Sequence, residues 1–213
     1  MNEILVLYKE VGETPLACLE RFRVEHTEYK DVSMTYAGRL DPMAEGLLLV
    51  LAGSKVHEKD KYLGLSKTYE AEIVFGVSTD TYDVLGIPTF SDSHKEISAV
   101  EIKHVLQKFI GKKMQKYPPY SSKPVNGTPM FVLARAGELD GKEIPEHEVE
   151  IMNIEMTNMR TIPKEIFLAE VLSKIGKVKG DFRQEEIARA WEEGIAGAVG
   201  GQITPQGGTK KNA

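Results

Sequence analysis

Hydrophobic and polar positions along the chain mark out short strands interleaved with helices. Glu3 to Lys9 alternates weakly and predicts a strand. Thr14 and Pro15 supply an N-cap and a first helical position for a helix running to about Tyr29. An apolar run over residues 46–52, bounded by Gly46 and Gly53, predicts a buried strand, and the polar stretch Ser54 to Tyr62 a surface helix. From Thr68 to Phe75 the period is two, with Tyr69, Ala71, Ile73 and Phe75 on one side of a strand. Residues 80–93, rich in Asp, Ser, Gly and Pro, predict a loop. Ser98 and Glu101 form a capping box ahead of an apolar stripe of Ile102, Val105, Leu106 and Phe109, and Gly111 ends that helix.

The second half is less regular. Val149 to Met156 alternates again, Glu165 to Ile175 fits a strand or a helix, and Gln184 to Glu193 predicts a helix carrying Trp191. The closing GIAGAVGGQITPQGGTKKNA holds much Gly and few large apolar residues, which predicts a frayed tail over 197–213. Without a steady βαβ rhythm, these elements predict an α+β fold with a mixed, mostly antiparallel sheet flanked by helices. No internal repeat is present.

Composition narrows the class. At 213 residues and 41% hydrophobic content, the chain can bury a sizeable core as a single catalytic domain, 1–196. No apolar run approaches the ~18 residues of a membrane span, and MNEILVLYKE lacks the basic start and cleavage site of a leader, so a cytoplasmic monomer is expected. Cys18 is the one cysteine, which excludes an intrachain disulfide and predicts a small buried side chain. The net charge of −5 argues against a nucleic-acid partner, but its distribution does not. Lys103, Lys108, Lys112, Lys113, Lys116 and Lys123 follow one another without an acid between them, whereas Glu138 to Glu155 is acidic. Those lysines fit a local RNA-facing field or an ordinary solvated face equally well.

The chemistry concentrates in YAGRLDPMAEGLLLVLAG, Tyr36 to Gly53. Proline fixes its own φ and biases the preceding residue toward extended backbone, so Asp41, between Leu40 and Pro42, is held by a stiff turn at the mouth of a buried strand. This segment resembles the catalytic motif of the TruB family of tRNA pseudouridine synthases. The similarity continues in order. ILVLYKEVGETP resembles the opening strand, with Lys9 and Gly12 in place and Glu10 where a proline is usual. KTYEAEIVFGVSTDTYDVLG resembles the Lys-x-Tyr strand and its continuation, and YPPYSSKPVNGTPMFVLARAGE the insertion, about 110–142, that grips RNA. Beyond residue 160 the likeness fades.

The resemblance implies a pseudouridine synthase fold and an isomerase that moves uracil from a nitrogen to a carbon link on the same ribose, in the T loop of tRNA at position 55, with no cofactor and no metal. Asp41 would be the carboxylate, adding to the nucleoside or removing a sugar proton, and is expected in a cavity sized for an everted pyrimidine. Tyr69 would stack on the base. A cation would keep Asp41 ionised. Arg183, in KGDFRQ, fits after a one-residue slide along an expected strand, while Arg39 offers a second cation or a phosphate contact. Further RNA contacts fall to Lys9, Tyr120, Lys123, Asn126, Arg135 and Phe182, with Tyr36 standing where the family has His. The T arm of tRNA is the implied partner, and the family's C-terminal RNA-binding domain is expected to be missing.

Two rival readings remain. One is a non-catalytic tRNA-binding or RNA-folding module on the same scaffold. The other is a metal-dependent phosphoesterase using Asp80, Asp83 and Asp92, although carboxylates in such a loop are more often turn formers.

Overall fold

The computed structural model describes residues 1–91, 97–197, 202–203 and 205–212, the last two segments as backbone alone. The chain divides into two compact units: Met1–Leu65 with Ala169–Ala188, and Ser66–Leu168 with Arg189–Ala213. Every strand pairing is antiparallel among the described residues, and helices accompany the strands throughout, as the α+β reading anticipates.

The first unit is built on a three-stranded sheet ordered β1 (Glu3–Lys9), β3 (Gly46–Ala52), β2 (Met34–Ala37), with α1 (Pro15–Glu25) and the one-turn α2 (Asp60–Leu63). Lys9 lies opposite Gly46 and Ala37 opposite Leu49. The period of two sends Leu5, Leu7 and Lys9 inward, while Ile4, Val6 and Tyr8 stay exposed. Cys18 and Leu19 of α1 pack on Leu48 and Val50 of β3, with Leu5, Leu7, Met34 and Tyr36 around them. Burial holds the Cys18 thiol above its ordinary pKa, in keeping with a packing role. Thr14 caps α1 by accepting from the Ala17 N–H at 3.1 Å. The helix stops at Glu25 rather than Tyr29, because His26 leaves helical backbone and Thr27–Tyr29 tightens into a 3₁₀ turn. The polar stretch expected as one helix is likewise split, into a 3₁₀ segment Gly53–Glu58 and α2.

In the second unit β4 (Thr68–Val74) is followed by a hairpin of β5 (Val77–Thr79) and β6 (Pro88–Phe90). Then come α3 (Ala99–Gln107), β7 (Gly111–Lys116), a small hairpin of β8 (Pro124–Val125) and β9 (Thr128–Pro129), α4 (Met130–Arg135), β10 (Glu146–Ile151), β11 (Asn153–Met156) and β12 (Ile162–Pro163). The capping box of α3 is present, with both the Ser98 and Glu101 side chains bonded across it. The helices α5 (Lys164–Lys177) and α6 (Gln184–Gly197) each pass from one unit into the other. Trp191 of α6 is buried, its ring edge-on to Phe90 and Phe167 and its Nε1 donating to the Val84 carbonyl at 3.1 Å.

Two expectations are corrected here, and one segment gains an element. The alternation of β4 does not produce a half-buried strand, since Thr68 to Ile73 is exposed at every position. The lysine-rich segment after Gly111, where the expected helix ends, is a strand that pairs with the acidic β10. In the tail expected to fray, β13 (Gln202–Ile203) pairs with β12, and β14 (Pro205–Asn212) lies between β4 and β11, with a register break between Gln206 and Thr209 where two glycines fall. Backbone ladder bonds do not need large apolar side chains, which is why composition misses such strands. Residues 198–201, 204 and 213 of that tail lie outside the described ones. Among the described residues no helix is long and apolar enough to cross a membrane.

Candidate active site

Between β2 and β3 the chain turns sharply at the motif. The Ala44 N–H donates to the Asp41 carbonyl at 3.0 Å, closing a four-residue turn with Pro42 in the position its fixed φ favours. The Pro42 carbonyl accepts from the Gly12 N–H at 2.8 Å, and the Gly12 carbonyl accepts from Lys179 at 3.3 Å. Gly12 has φ of +90°, and a Cβ there would overlap the Lys177 carbonyl, so no other residue fits without movement. The turn is therefore bolted to the loop after β1, which is bolted to the end of α5.

Asp41 itself is exposed, and so is Arg39. This corrects the expectation of a carboxylate wedged in a cavity. The stiff turn fixes the backbone of Asp41 but aims the residue outward.

Beneath the turn lies Lys9, with none of its surface exposed. Its Nζ donates to the carbonyls of Glu10 at 3.0 Å and Glu13 at 2.7 Å. Burial lowers the Lys9 pKa, and the negative groups around it, Glu13 first and Asp41 among them, pull it back up. A buried ammonium is costly unless it is bonded and faced by opposite charge, and Lys9 has both. A fully covered ammonium is not placed for the RNA contact expected of Lys9; it supports the end of β1 instead.

Arg21 forks onto Glu13, Nε to Oε1 at 2.7 Å and Nη2 to Oε2 at 3.1 Å, and Nη2 also donates to the Tyr8 carbonyl at 2.8 Å. That fork holds the Glu13 carboxyl below its ordinary pKa and the Arg21 guanidinium above its own. Tyr36 packs against the core of the sheet, with the Lys59 ammonium 5.7 Å from its ring centroid.

Arg183 and Phe182 do not lie on a strand. Val178 to Arg183 is a loop in which the Gln184 side chain donates to the carbonyls of Val178 at 3.1 Å and Gly180 at 2.6 Å and accepts from the Phe182 N–H at 2.9 Å. Arg183 has φ of +62°, and its carbonyl receives the first bond of α6, from Ile187 at 3.0 Å. The strand expected at KGDFRQ is therefore a loop leading into α6.

In the second unit Tyr69 is 42% exposed, on a strand whose residues are all exposed except the half-buried Val74. Tyr120 is half-buried, and Lys123, Asn126 and Arg135 are exposed. The Lys123 ammonium lies 5.3 Å from the Tyr117 ring centroid, which in turn stacks on His147 at 4.4 Å, and the Arg135 guanidinium lies 5.9 Å from the Phe131 ring. Asn126 and Gly127 have φ of +50° and +84° and form the two-residue turn of the β8–β9 hairpin, which gives the Asn-Gly pair a backbone reason. The lysine-rich β7 pairs with the acidic β10, and Lys112 meets Glu148 at 3.0 Å and Lys116 meets Glu146 at 3.9 Å. The uninterrupted basic field of the sequence is thus partly neutralised across the ribbon. Asp80 Oδ1 accepts from the Ile87 N–H at 2.8 Å and Asp83 Oδ1 from Leu85 at 2.9 Å, so both carboxylates shape their loop; Asp92 lies outside the described residues.

Residues 26–177 match the family described as TruB family pseudouridylate synthase (N terminal domain). The chain belongs to the TruB family. It is similar to the tRNA pseudouridine synthase B of Aquifex aeolicus (strain VF5), with 31% identity over 176 residues that cover 81% of this chain and 58% of that protein. The corresponding protein of Nostoc sp. (strain PCC 7120 / SAG 25.82 / UTEX 2576) is 36% identical over 160 residues, 75% of this chain and 53% of its own length. That of Listeria monocytogenes serovar 1/2a (strain ATCC BAA-679 / EGD-e) is 35% identical over 156 residues, 72% and 49% respectively. The chain spans about half the length of these curated relatives.

Within this TruB chain the residues missed from sequence are Glu13 and Arg21, which lie upstream of the family match. Eight positions apart, and with Glu13 outside the helix, they obey no helical pairing rule. The usable signal was the parity of Lys9: it shares a face of β1 with Leu5 and Leu7, and a lysine on a core face demands partners.

Proposed function

We propose that this protein isomerises a uridine of tRNA to pseudouridine, with Asp41 as the reacting carboxylate. The observation that carries the reading is the Asp41 turn, closed on itself through Ala44 and tied to Gly12 through Pro42. Catalysis by a single side chain needs that group held in place before substrate arrives. A TruB chain with this turn has the one group the reaction requires.

The reaction is internal to one nucleoside. The bond from C1′ to N1 breaks, a bond from C1′ to C5 forms, the C5 proton departs and N1 ends protonated. No electrons are gained or lost overall, so the residues need supply only a carboxylate, a surface for the base and a grip on the RNA. Asp41 serves either by adding to the nucleoside or by removing a sugar proton. Because Asp41 is open to solvent, the water around it must be displaced by the RNA itself, and the carboxylate works in the desolvated setting only once covered. Stacking on the exposed Tyr69 would hold a flipped base by ~1–3 kcal/mol, comparable to the few kcal/mol of extruding it. The T loop is the proposed target and the T arm the proposed partner. The 110–142 insertion would supply phosphate and loop contacts through Lys123, Arg135 and Tyr120.

The test is an unmodified tRNA transcript incubated with purified protein, with pseudouridine mapped by position. Product in the T loop is expected. Salt-sensitive binding with no product at stoichiometric protein would select a non-catalytic tRNA-binding module instead.

A further inference from the structure

We propose that Glu13 and Arg21 are positioning residues for Asp41, acting through the Gly12–Pro42 backbone bond; this rests on the reading of Asp41 given above. One guanidinium joins three pieces of chain. Arg21 on α1 grips both oxygens of Glu13 and, with the same Nη2, the carbonyl of Tyr8 near the end of β1. Glu13 Oε2 also accepts from the Glu10 N–H at 3.1 Å, and the Glu13 carbonyl receives Lys9 Nζ at 2.7 Å. Residues 10–13 are thereby closed at both ends by one carboxylate and one ammonium. A proline at position 10 has no N–H to give, so the Glu13 bond exists because Glu10 stands there.

Gly12 lies inside this closed loop, and its N–H is the donor that fixes Pro42, the residue following Asp41. The Lys179 N–H donates to the Gly12 carbonyl, and the Lys177 carbonyl fills the space a side chain would need, so Gly12 is held from the end of α5 as well. The shape of the 10–13 loop therefore sets the height of the Asp41 turn. Neither Glu13 nor Arg21 is bonded to Asp41; the link that reaches it is the Gly12–Pro42 backbone bond. A reacting group must be held to within ~0.5 Å of its working position, so loosening the loop reaches the chemistry without touching it.

The variants are Glu13→Gln, Arg21→Met, Arg21→Lys and the Glu13→Gln/Arg21→Met double, assayed on an unmodified tRNA transcript, with amide hydrogen exchange followed at Gly12, Ala44, Val50 and Leu51. The single variants lower kcat on the order of 10–100-fold, with KM within about twofold of the parent. The double variant is no slower than the worse single, because one device is removed either way. Arg21→Lys keeps the charge without the fork and falls between. The Gly12 and Ala44 amides exchange about tenfold faster or more, while Val50 and Leu51 in β3 keep their protection. An unchanged kcat, a rise confined to KM, or unaltered exchange at Gly12 and Ala44 overturns the proposal. Should the parent protein make no pseudouridine, the catalytic reading fails by itself, and exchange at those two amides still decides whether the pair holds the turn.

Discussion

Glu13 meets Arg21 through two bonds with 12% of the Glu13 side chain and 39% of the Arg21 side chain exposed, whereas Lys112 meets Glu148 through one, with 61% and 58% exposed. Both regions set opposite charges against each other, the first to close the loop under the Asp41 turn, the second to pair β7 with β10. The difference lies in solvent and in what else each charge holds. Glu13 also binds the Glu10 N–H, and Arg21 the Tyr8 carbonyl, so the pair is a joint between chain segments. Lys112 and Glu148 are held by their strand ladder whether or not they touch. The loop should be stiff and intolerant; the ribbon should keep its shape when its charges are screened, leaving its lysines free to exchange glutamate for phosphate.

The contrast breaks most visibly at Gly12. Gly12→Ala meets both a left-handed φ and the Lys177 carbonyl and should cost about 3 kcal/mol, read from urea denaturation; a loss below about 1 kcal/mol would mean the loop yields easily. Arg21→Met should cost about 1–2 kcal/mol after discounting for the exposed guanidinium. Gly127→Ala, which removes the glycine from the β8–β9 turn, should cost about 1 kcal/mol, confined to the insertion and visible as faster amide exchange at Thr128. Lys112→Ala should leave the denaturation midpoint unchanged at low salt and in 1 M salt alike.

Acid sharpens the same comparison. The Arg21 fork lowers the Glu13 pKa from its ordinary value of 4.5, so the unfolded chain takes up this proton before the folded one does. The stability it contributes is whole above that value and is lost as pH falls through the lower folded pKa. Thermal unfolding between about pH 5 and pH 3 should therefore fall less steeply for Glu13→Gln than for the parent protein. Equal slopes would show that the fork does not stabilise the carboxylate.

How much of this was legible in the sequence depended on whether the cause was local. The Thr14 cap, the Ser98–Glu101 box, the apolar run of β3 and the turn at Pro42 each follow from residues a few positions apart, and each is present. The partners of β7 and β14 are far along the chain, and nothing in their own residues names them. In the site, the motif pointed to Asp41, but whether its side chain faces a cavity or water depends on what the rest of the chain places around it. The parity of Lys9 showed that it needs partners but not which ones: Glu13 and Arg21 lie on a loop and a helix, and only the fold brings them to the strand end.

The central claim concerns one carboxylate, and Asp41→Asn keeps its size while removing its charge. The decisive measurement is pseudouridine formation on an unmodified tRNA transcript under single-turnover conditions, parent against Asp41→Asn, with transcript binding measured alongside. The account predicts loss of product by a factor on the order of 10³ or more, with binding within a few-fold of the parent. Pseudouridine formed by Asp41→Asn at a rate near that of the parent would contradict it.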